Sequence, residues 1–400
     1  MELFRTVNID WMGKAKYFIA LSLILLAVGW TSVLLNHGLR EGIDFRGGTL
    51  VVVRFAAPPP VDQIRKGLQD AGLRNSTITP ISDISDPNSK NDVQISLEQS
   101  ANGDAQIDAD RQAVLDALHK TFGSASAKVD FNTTTPTALA DYLTQKDPLA
   151  LGLSAGDRYN QLAQKLIGVR DKSGIVTNFD QLKSADGATP AVIASLSSEY
   201  DLGDFAIRSV DSVGPKVGAQ LRNQAVWATL YALAGMLVYI AFRFEWVYGA
   251  AAVIAVFHDV LITLGFFSLR HYEISLTVIA ALLTLVGYSM NDTIVIFDRV
   301  RENLRLMRRE PLAEIVNKSI NQTLSRTILT SGLTLLTVLV LYLLGGEVLR
   351  AFSFAMVAGV VVGTYSSFGI AAPIVVYWNK VHGQRGGSAA ESRAVAPARR

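Results

Sequence analysis

Six long apolar stretches constrain the fold of this chain more than any other feature. Each is close to the ~20 mostly apolar residues that a helix needs to cross the hydrocarbon core of a bilayer. They cover residues 17–35, 225–242, 246–269, 274–297, 328–346 and 351–378. Charged residues make up only 18% of the chain, below the ~25% of soluble domains. The sequence therefore predicts an α-helical polytopic membrane protein with six transmembrane helices.

The basic residues predict how the chain is oriented in the membrane. Lysine and arginine are enriched in short cytoplasmic loops, and among the short segments of this chain they are concentrated in 1–16, 298–327 and 379–400, whereas the opposite short loops carry only Arg270 and Arg350. We expect a cytoplasmic N-terminus, a cytoplasmic loop at 298–327 and a basic, disordered cytoplasmic tail. Residues 36–224 then lie outside, and residues 225–378 hold transmembrane helices 2–6. The first stretch is longer than the ~7–15 apolar residues of a signal peptide, so a retained anchor is favoured over a cleaved signal.

The long segment 36–224 predicts a folded α+β domain. Its apolar residues alternate between the spacing of helices and the period of two that is typical of strands. The order of these elements is β-α-β-β-α-β, as in a ferredoxin-like fold, with the first strand at 42–55 and the last at 205–213. Residues 132–203 interrupt the order and predict a helical insert. Helix starts are indicated by Ser154 with Asp157 and by Thr189 before Pro190.

Ionisable residues inside the apolar stretches mark the candidate functional site. His258 and Asp259 lie near the middle of the third stretch, Asp292 lies in the fourth, and Arg326 begins the fifth. An ionised side chain at the bilayer centre costs about 2.5–3.5 kcal/mol on insertion scales, so it normally faces the bundle interior or water. Asp292 and Arg326 lie at similar depth on adjacent helices. They form either a switchable proton relay or a static ion pair, or Asp292 is an interfacial residue near the lipid headgroups. His258 with Asp259 contribute either function or polar packing.

A stripe of threonines follows one face of the fifth stretch. Its members are Thr323, Thr327, Thr330, Thr334 and Thr337. Such a face lines a water path or bonds a neighbouring helix, or its hydroxyls satisfy their own backbone and allow close packing. The sixth stretch has small residues at every fourth position, which predicts close helix contact there. They are Ala355, Gly359, Gly363 and Ser367.

Other chemistries are poorly supported by the sequence. The chain has no cysteine, and His258–Asp259 has no second pair of ligands beside it, so no metal site is predicted. A phosphate-binding loop of the G-x-x-x-x-G-K type is also missing, and no cofactor or enzymatic activity is expected. The net charge of +2 gives no indication of nucleic-acid binding.

Five motifs, in order, resemble one known family. They are Gly42-Ile-Asp-Phe-Arg-Gly-Gly-Thr49, Ser212-Val-Gly-Pro-Lys-Val-Gly218, Phe257-His-Asp-Val260, the run from Val286 to Asn303 with Gly-Tyr-Ser-Met-Asn-Asp292, and Ser325-Arg-Thr327. With one outer domain after the first stretch, the chain resembles the SecF family, the smaller half of the bacterial SecDF protein-export complex. That family is similar to proton-driven resistance-nodulation-division transporters.

The resemblance implies a function and a set of partners. It implies a multi-pass protein of the bacterial inner membrane that uses the proton-motive force to assist export through the SecYEG channel. The implied partners are SecD as a heterodimer, SecYEG, YajC, exported unfolded polypeptide and the lipid membrane, without nucleic acid. The coupling ion, H⁺ or Na⁺, stays open.

The resemblance also implies residue roles. It assigns the proton relay to Asp292 and Arg326. Supporting polar residues in the membrane would be His258, Asp259, Asn291 and Thr330. A structural motif beside the membrane would be formed by Asp44, Arg46, Gly47 and Gly48.

The insert departs from the family pattern, and other functions remain to be weighed. Segment 180–192 is faintly similar to a helix-hairpin-helix, but an outside location disfavours DNA, so the insert is a protein-contact module or an elaboration. A static partner that stabilises SecD and SecYEG is one alternative function. A half-transporter for drugs or lipids is another, which a single outer domain disfavours.

Overall fold

The computed structural model describes most of the chain as two compact units. It describes residues 8–73, 76–81, 91–98, 105–123, 128–152 and 155–382, without the side chains of residues 98, 105–111 and 347. One unit combines Met1–Gly42 with Asn223–Arg400, and the other is Ile43–Arg222. Most of the tail that the sequence predicts to be disordered lies outside the described residues.

The first membrane-length helix is α1 (Trp11–Leu35). Asp10 caps it by accepting a hydrogen bond from the Gly13 amide at 2.9 Å. The elements of the unit Ile43–Arg222 follow as α2 (Ile43–Arg46), β1 (Gly48–Phe55), α3 (Val61–Asp70), β2 (Ser76–Ile81), β3 (Asp92–Glu98), α4 (Ala105–Phe122), β4 (Val129–Asp130), α5 (Pro136–Lys146), α6 (Ala155–Ser173), α7 (Pro190–Glu199), β5 (Tyr200–Asp201) and β6 (Phe205–Val213).

Four of these strands form an antiparallel sheet in the order β2-β3-β1-β6. With β6 as the fourth strand, this is the arrangement of a ferredoxin-like fold. The inward residues of β1 and β3 are buried against α3 and α4. Val53 of β1 and Ile95 of β3 share one core with Leu68 of α3 and Leu118 of α4. The alternation of apolar and polar residues along the strands therefore reflects a sheet with one face packed against helices.

The first strand begins later than the sequence predicts. Residues 43–46 form the short helix α2, and β1 starts at Gly48. The cause is backbone geometry, because Gly47 and Gly48 have φ of +75° and +148°, which residues with a side chain rarely adopt. A Cβ on Gly47 would also lie 2.7 Å from the Cα of Pro215. This close approach supports a structural role for the two glycines.

The insert is a helical subdomain with its own core. It contains α5, α6, a 3₁₀ turn at Phe179–Ser184 and α7, and it lies between the parallel strands β4 and β5. Fully buried residues from all three helices meet in the core, among them Leu143, Leu166 and Leu196. Thr189 caps α7 by accepting from the Val192 amide, as the sequence predicts. Ser154 lies outside the described residues.

Asp147 organises the turn that joins α5 to α6. Its carboxylate accepts hydrogen bonds from the amides of Leu151 and Gly152 and from the Tyr159 hydroxyl, at 2.7–3.0 Å. These bonds, with that from Gly152 the largest cause, hold the pKa of Asp147 below its ordinary value. The stabilisation is thus fully present above the unfolded pKa of about 3.9. It is lost as the pH falls through the lower, folded pKa.

Asp147→Asn is expected to remove this acid sensitivity of the insert. Asparagine tolerates the left-handed backbone that Asp147 adopts (φ 42°), so the change removes the charge and one of the two acceptor oxygens without straining the backbone. In the parent chain, protection of the Leu151 and Gly152 amides from hydrogen exchange should fall on acidification from about pH 7 to about pH 3. In the variant it should be lower at neutral pH and change little. The exposed Asp141→Asn serves as control, and an unchanged variant would contradict the prediction.

The membrane unit continues with five long helices. They are α8 (Pro215–Arg243), α9 (Trp246–Arg270), α10 (Leu276–Leu306), α11 (Leu312–Leu344) and α12 (Gly346–Ser366). The last helix passes through a π-helical segment, Ser367–Ala371, and ends at His382. With α1, six helices in the described chain are long and apolar enough to cross a membrane.

The helices extend beyond the apolar stretches. The segment 298–327, predicted as a loop, is helical except at residues 307–311. Hydropathy reports only the part of a helix that lipid surrounds, whereas polar pairs such as Arg299–Glu302 continue it into water.

Small residues let the membrane helices approach closely, as the spacing in α12 predicts. A Cβ on Gly359 would overlap the Leu285 side chain, and one on Gly363 would lie 3.0 Å from Cβ of Ser289. At the crossing of α1 with α9, a Cβ on Gly29 would lie 2.7 Å from Cα of Gly265. Such contacts bring polar side chains of different helices within hydrogen-bonding distance.

Candidate functional site

Asp292 lies buried within the membrane bundle. It projects from α10 with an exposed fraction of only 2%. The Ser331 hydroxyl of α11 donates a hydrogen bond of 2.9 Å to its Oδ2. A carboxyl group held in this way faces protein rather than lipid, which is the expected position for an ionisable residue with a function in the membrane.

Arg326 does not pair directly with Asp292. Its side chain is exposed on α11, and within the described part of the chain the two residues form no ion pair of 4.0 Å or less. The Arg326 charge nevertheless acts electrostatically on the Asp292 carboxylate. The structure therefore places the predicted partners in the same region but gives Asp292 a serine as its direct neighbour.

A second polar cluster surrounds Asp259, which is completely buried on α9. Its Oδ2 accepts hydrogen bonds from the hydroxyls of Ser289 on α10 and Ser366 on α12. Its Oδ1 lies 2.9 Å from Nδ1 of His258. We refer to His258, Asp259, Ser289 and Ser366 as the Asp259 cluster. It joins three helices through one carboxyl group.

Tyr365 extends this region towards α1. Its ring meets the His258 ring edge to face, with centroids 6.1 Å apart. Its hydroxyl lies 3.0 Å from the Ser22 hydroxyl of α1. The next turn of α12 is the π-helical segment, and such segments are frequent at functional sites.

The remaining predicted residues have less contact with either carboxyl group. Asn291 and Thr330 are exposed on α10 and α11. The Thr330 hydroxyl donates to the backbone oxygens of Arg326 and Thr327, and Thr334 and Thr337 likewise bond their own helix. With Thr323, which bonds Ser319 and Ile320, four of the five stripe threonines satisfy their own backbone, one of the two alternatives that the sequence leaves open.

The predicted motif at the start of the sheet unit lies on and after α2. Asp44 is half-buried and Arg46 is exposed, whereas Gly47 and Gly48 form the turn into β1. A Cβ on Gly218 would lie within 3.4 Å of backbone atoms of Asp44, Phe45 and Gly47. These close backbone contacts support a structural function for the motif.

Sequence reasoning missed the three serines that bond the carboxyl groups. Serine is common in membrane helices and carries no charge, so hydropathy does not reveal it. One signal was present for Ser289, which precedes Asp292 by three residues and so lies on nearly the same face of α10. Ser331 and Ser366 could not be assigned without the packing of α11 and α12.

Two family models match the sequence. The model of the C-terminal part of the protein export membrane proteins SecD and SecF matches residues 192–381. The model of the SecD/SecF GG motif matches residues 32–59. The first match contains Asp292 and the Asp259 cluster, and the second contains the turn at Gly47 and Gly48.

Curated relatives of similar length are named protein translocase subunit SecF. The one from Koribacter versatilis is 49% identical over 397 residues, covering 97% of this chain and 96% of the relative. The one from Calditerrivibrio nitroreducens is 35% identical over 370 residues, covering 92% and 93%.

Solved structures of SecDF have the same fold. The crystal structure of SecDF from Thermus thermophilus, a translocon-associated membrane protein, matches with a TM-score of 0.65 and 32% identity. The match covers 95% of this chain and 40% of that longer chain. A super-membrane-facing form of SecDF matches with a TM-score of 0.55 and 31% identity. The fold class predicted from the sequence, six membrane helices with a ferredoxin-like α+β unit, is confirmed.

Proposed function

We propose, since this chain belongs to the SecF family of protein translocase subunits, that it uses the proton-motive force to assist protein export. In this proposal a proton binds and leaves Asp292, and the Arg326 charge favours its release. The change in charge alters the packing of α10 against α11 and is coupled to motion of the outer domain. The observation that carries the proposal is the buried Asp292 carboxyl group, bonded to Ser331 across two helices.

Burial and charge argue for a switch at Asp292. Burial favours the neutral carboxylic acid, whereas a nearby cation favours the carboxylate. Asp292 experiences both influences, because it is 2% exposed and feels the Arg326 charge without an ion pair to it. A tight ion pair would hold the carboxylate permanently ionised, and the separation leaves protonation reversible.

We propose a bacterial inner-membrane location with both termini in the cytoplasm. The basic segments that support this orientation are 1–16, 298–327 and 379–400. The segment 36–224 then forms the domain outside the membrane, with 225–378 as the remaining membrane helices. There the sheet and its insert could meet an exported chain.

A SecD protein is the partner that the surface of the membrane unit supports best. Arg326, Asn291 and Thr330 are polar and exposed on α10 and α11, and exposing them to lipid would be costly. The matching SecDF chain is also longer than this one, which spans 40% of it. A SecD subunit would cover this polar face. SecYEG, YajC and unfolded exported polypeptide are proposed as further partners.

Asp292→Asn is expected to abolish the part of export that depends on a proton gradient. Asparagine keeps the size of the side chain and an oxygen for Ser331, but it cannot bind and release a proton at neutral pH. The measurement is export into membrane vesicles with and without an imposed gradient, with SecD present and at matched protein levels. The control is Asp298→Asn, the same change in the half-exposed pair with Arg243.

The outcomes separate the motor from a static partner. Loss of only the gradient-dependent part, with normal complex yield, supports the relay. A low yield of complex would instead indicate that Asp292 holds the assembly together. Normal export by the variant would overturn the proposal.

A further inference from the structure

The Asp259 cluster is a second buried carboxyl site within the membrane bundle. Asp259 is 0% exposed, and its neighbours come from its own helix and from two others. No described Lys or Arg side chain forms an ion pair with it. The environment thus supplies hydroxyls and one imidazole, but not a permanent positive charge that would keep the carboxylate ionised.

The hydrogen bonds of the cluster fit both protonation states. Ser289 and Ser366 donate to Oδ2, and Oδ1 lies 2.9 Å from Nδ1 of His258. If Asp259 is ionised, the Nδ1 hydrogen of a neutral imidazole donates to Oδ1. If Asp259 is protonated, Oδ1 donates to Nδ1 instead. In both states the two serines keep their bonds, so a proton can be added with little rearrangement.

His258 also has a second nitrogen available for proton transfer. Its Nε2 is buried, and none of the described residues hydrogen-bonds it. The imidazole therefore holds Asp259 with one nitrogen and leaves the other without a partner in the described structure. An imidazole with this arrangement can take a proton on one side and release one on the other.

We infer that Asp259 is a second proton-binding carboxyl group of this chain, loaded through His258. A proton binds Nε2 of the neutral imidazole and gives an imidazolium ion. The Nδ1 hydrogen then moves to Oδ1 of Asp259. This step leaves a neutral imidazole with its hydrogen on Nε2 and a neutral carboxylic acid bonded to Ser289 and Ser366. The net change is one proton added to the cluster.

The groups that face Asp259 come from its own helix and from the helices packed against it. His258 comes from α9 itself, and Tyr365 comes from α12 and interacts with Asp259 electrostatically. The neighbour from α10 is Ser289, and α1 contributes Ser22, which bonds Tyr365. The titratable side chains that face Asp259 from the described helices are therefore one imidazole and one phenol. Its use in export rests on the proposed function, but its protonation does not.

Infrared difference spectroscopy tests the inference directly. The full chain with its SecD partner is reconstituted in lipid, and spectra are compared between acidic and neutral buffer. A carboxylic acid that gains a proton produces a carbonyl band, and Asp259→Asn should remove one such band. Ser289→Ala and Ser366→Ala should shift that band, because each removes a hydrogen bond to Oδ2. Ser331→Ala, which removes the bond to Asp292 and none to Asp259, is the matched control and should leave it in place.

His258→Gln tests the loading step. Glutamine occupies a similar volume but cannot relay a proton. After a rapid pH change the Asp259 band should reach the same amplitude more slowly. An unchanged rate would remove His258 from the pathway.

The outcomes distinguish this inference from the proposed function. If Asp259→Asn has the spectrum of the parent chain, or if Ser289→Ala moves no band, Asp259 is static and the inference is wrong. The second variant keeps the carboxyl group and decides the matter if the first fails to fold. Asp292→Asn should remove a different band. If only Asp292→Asn removes a band, the relay is supported without this site. If only Asp259→Asn removes a band, this site is supported without the relay.

Discussion

Arg54→Met is expected to destabilise the unit Ile43–Arg222 by about 3–5 kcal/mol, the usual cost of removing one partner of a buried ion pair. Arg54 on β1 lies directly opposite Asp92 on β3. Nη2 lies 2.7 Å from the second carboxylate oxygen and Nε contacts the first, so the pairing is bidentate. The two side chains are only 2% and 6% exposed.

The cost arises mainly from the carboxylate left behind. A buried charge without a partner loses its hydration and gains nothing in return. Arg208 on β6 lies 3.6 Å from Asp92 and offsets part of the loss, which places the expected value at the lower end of the range. Since whole domains are stable by about 5–15 kcal/mol, the change removes a large share of the total.

The same arginine also connects the sheet to the insert. Its Nη1 donates to the backbone oxygen of Ser173 at the end of α6. Gly174 follows with φ of +80°, and a Cβ there would overlap the guanidinium group. Arg54→Met should therefore loosen the end of α6 as well as the strands.

Hydrogen exchange of the full chain in lipid provides the measurement. Protection should fall in β1, β3 and the end of α6. The double variant Arg54→Met with Asp92→Leu should recover most of it, because replacing both partners by apolar residues is often neutral. Arg65→Met, in an exposed pair with Asp62, should cost at most about 1 kcal/mol. Equal effects of the two single changes would contradict the argument.

This pair shows where sequence reasoning ends. The alternation of Val93, Ile95 and Leu97 predicts a strand because one face is buried. It does not predict that Asp92 lies opposite Arg54, since register depends on pairing between distant segments. Nor does the sequence predict the positive φ of Gly47, which divides the predicted strand 42–55 into α2 and β1.

In the membrane unit, too, the sequence predicts the helices but not the contacts between their side chains. Hydropathy located all six helices, and the cost of burying charge singled out Asp259 and Asp292. It could not identify their partners, because Ser366 reaches Asp259 only through the close approach of α12 at Gly363. It also placed Arg326 beside Asp292 by depth alone, and the two residues do not pair directly.

Arg326→Gln is expected to reduce export to the level without a proton gradient while the complex still assembles. The reason is that Asp292 has its own donor in Ser331 and does not depend on Arg326 to be satisfied in the bundle. What the arginine supplies is charge at a distance, which favours release of the proton from Asp292. Without it, the carboxylate that remains after proton release loses the stabilisation of a nearby positive charge. Arg326→Lys keeps the charge and should retain part of the activity.

The double variant Asp292→Asn with Arg326→Gln separates charge tuning from assembly. If the two residues form a static pair in the complex, removing both should restore a yield that each single change lowers. If Arg326 tunes a relay, the single changes leave the yield unchanged and the double variant stays inactive, because no titrating group remains at position 292. Copurification with SecD and vesicle export measure the two effects. Arg309→Gln, in the exposed turn 307–311, removes the same charge from the same side and should leave both unaffected.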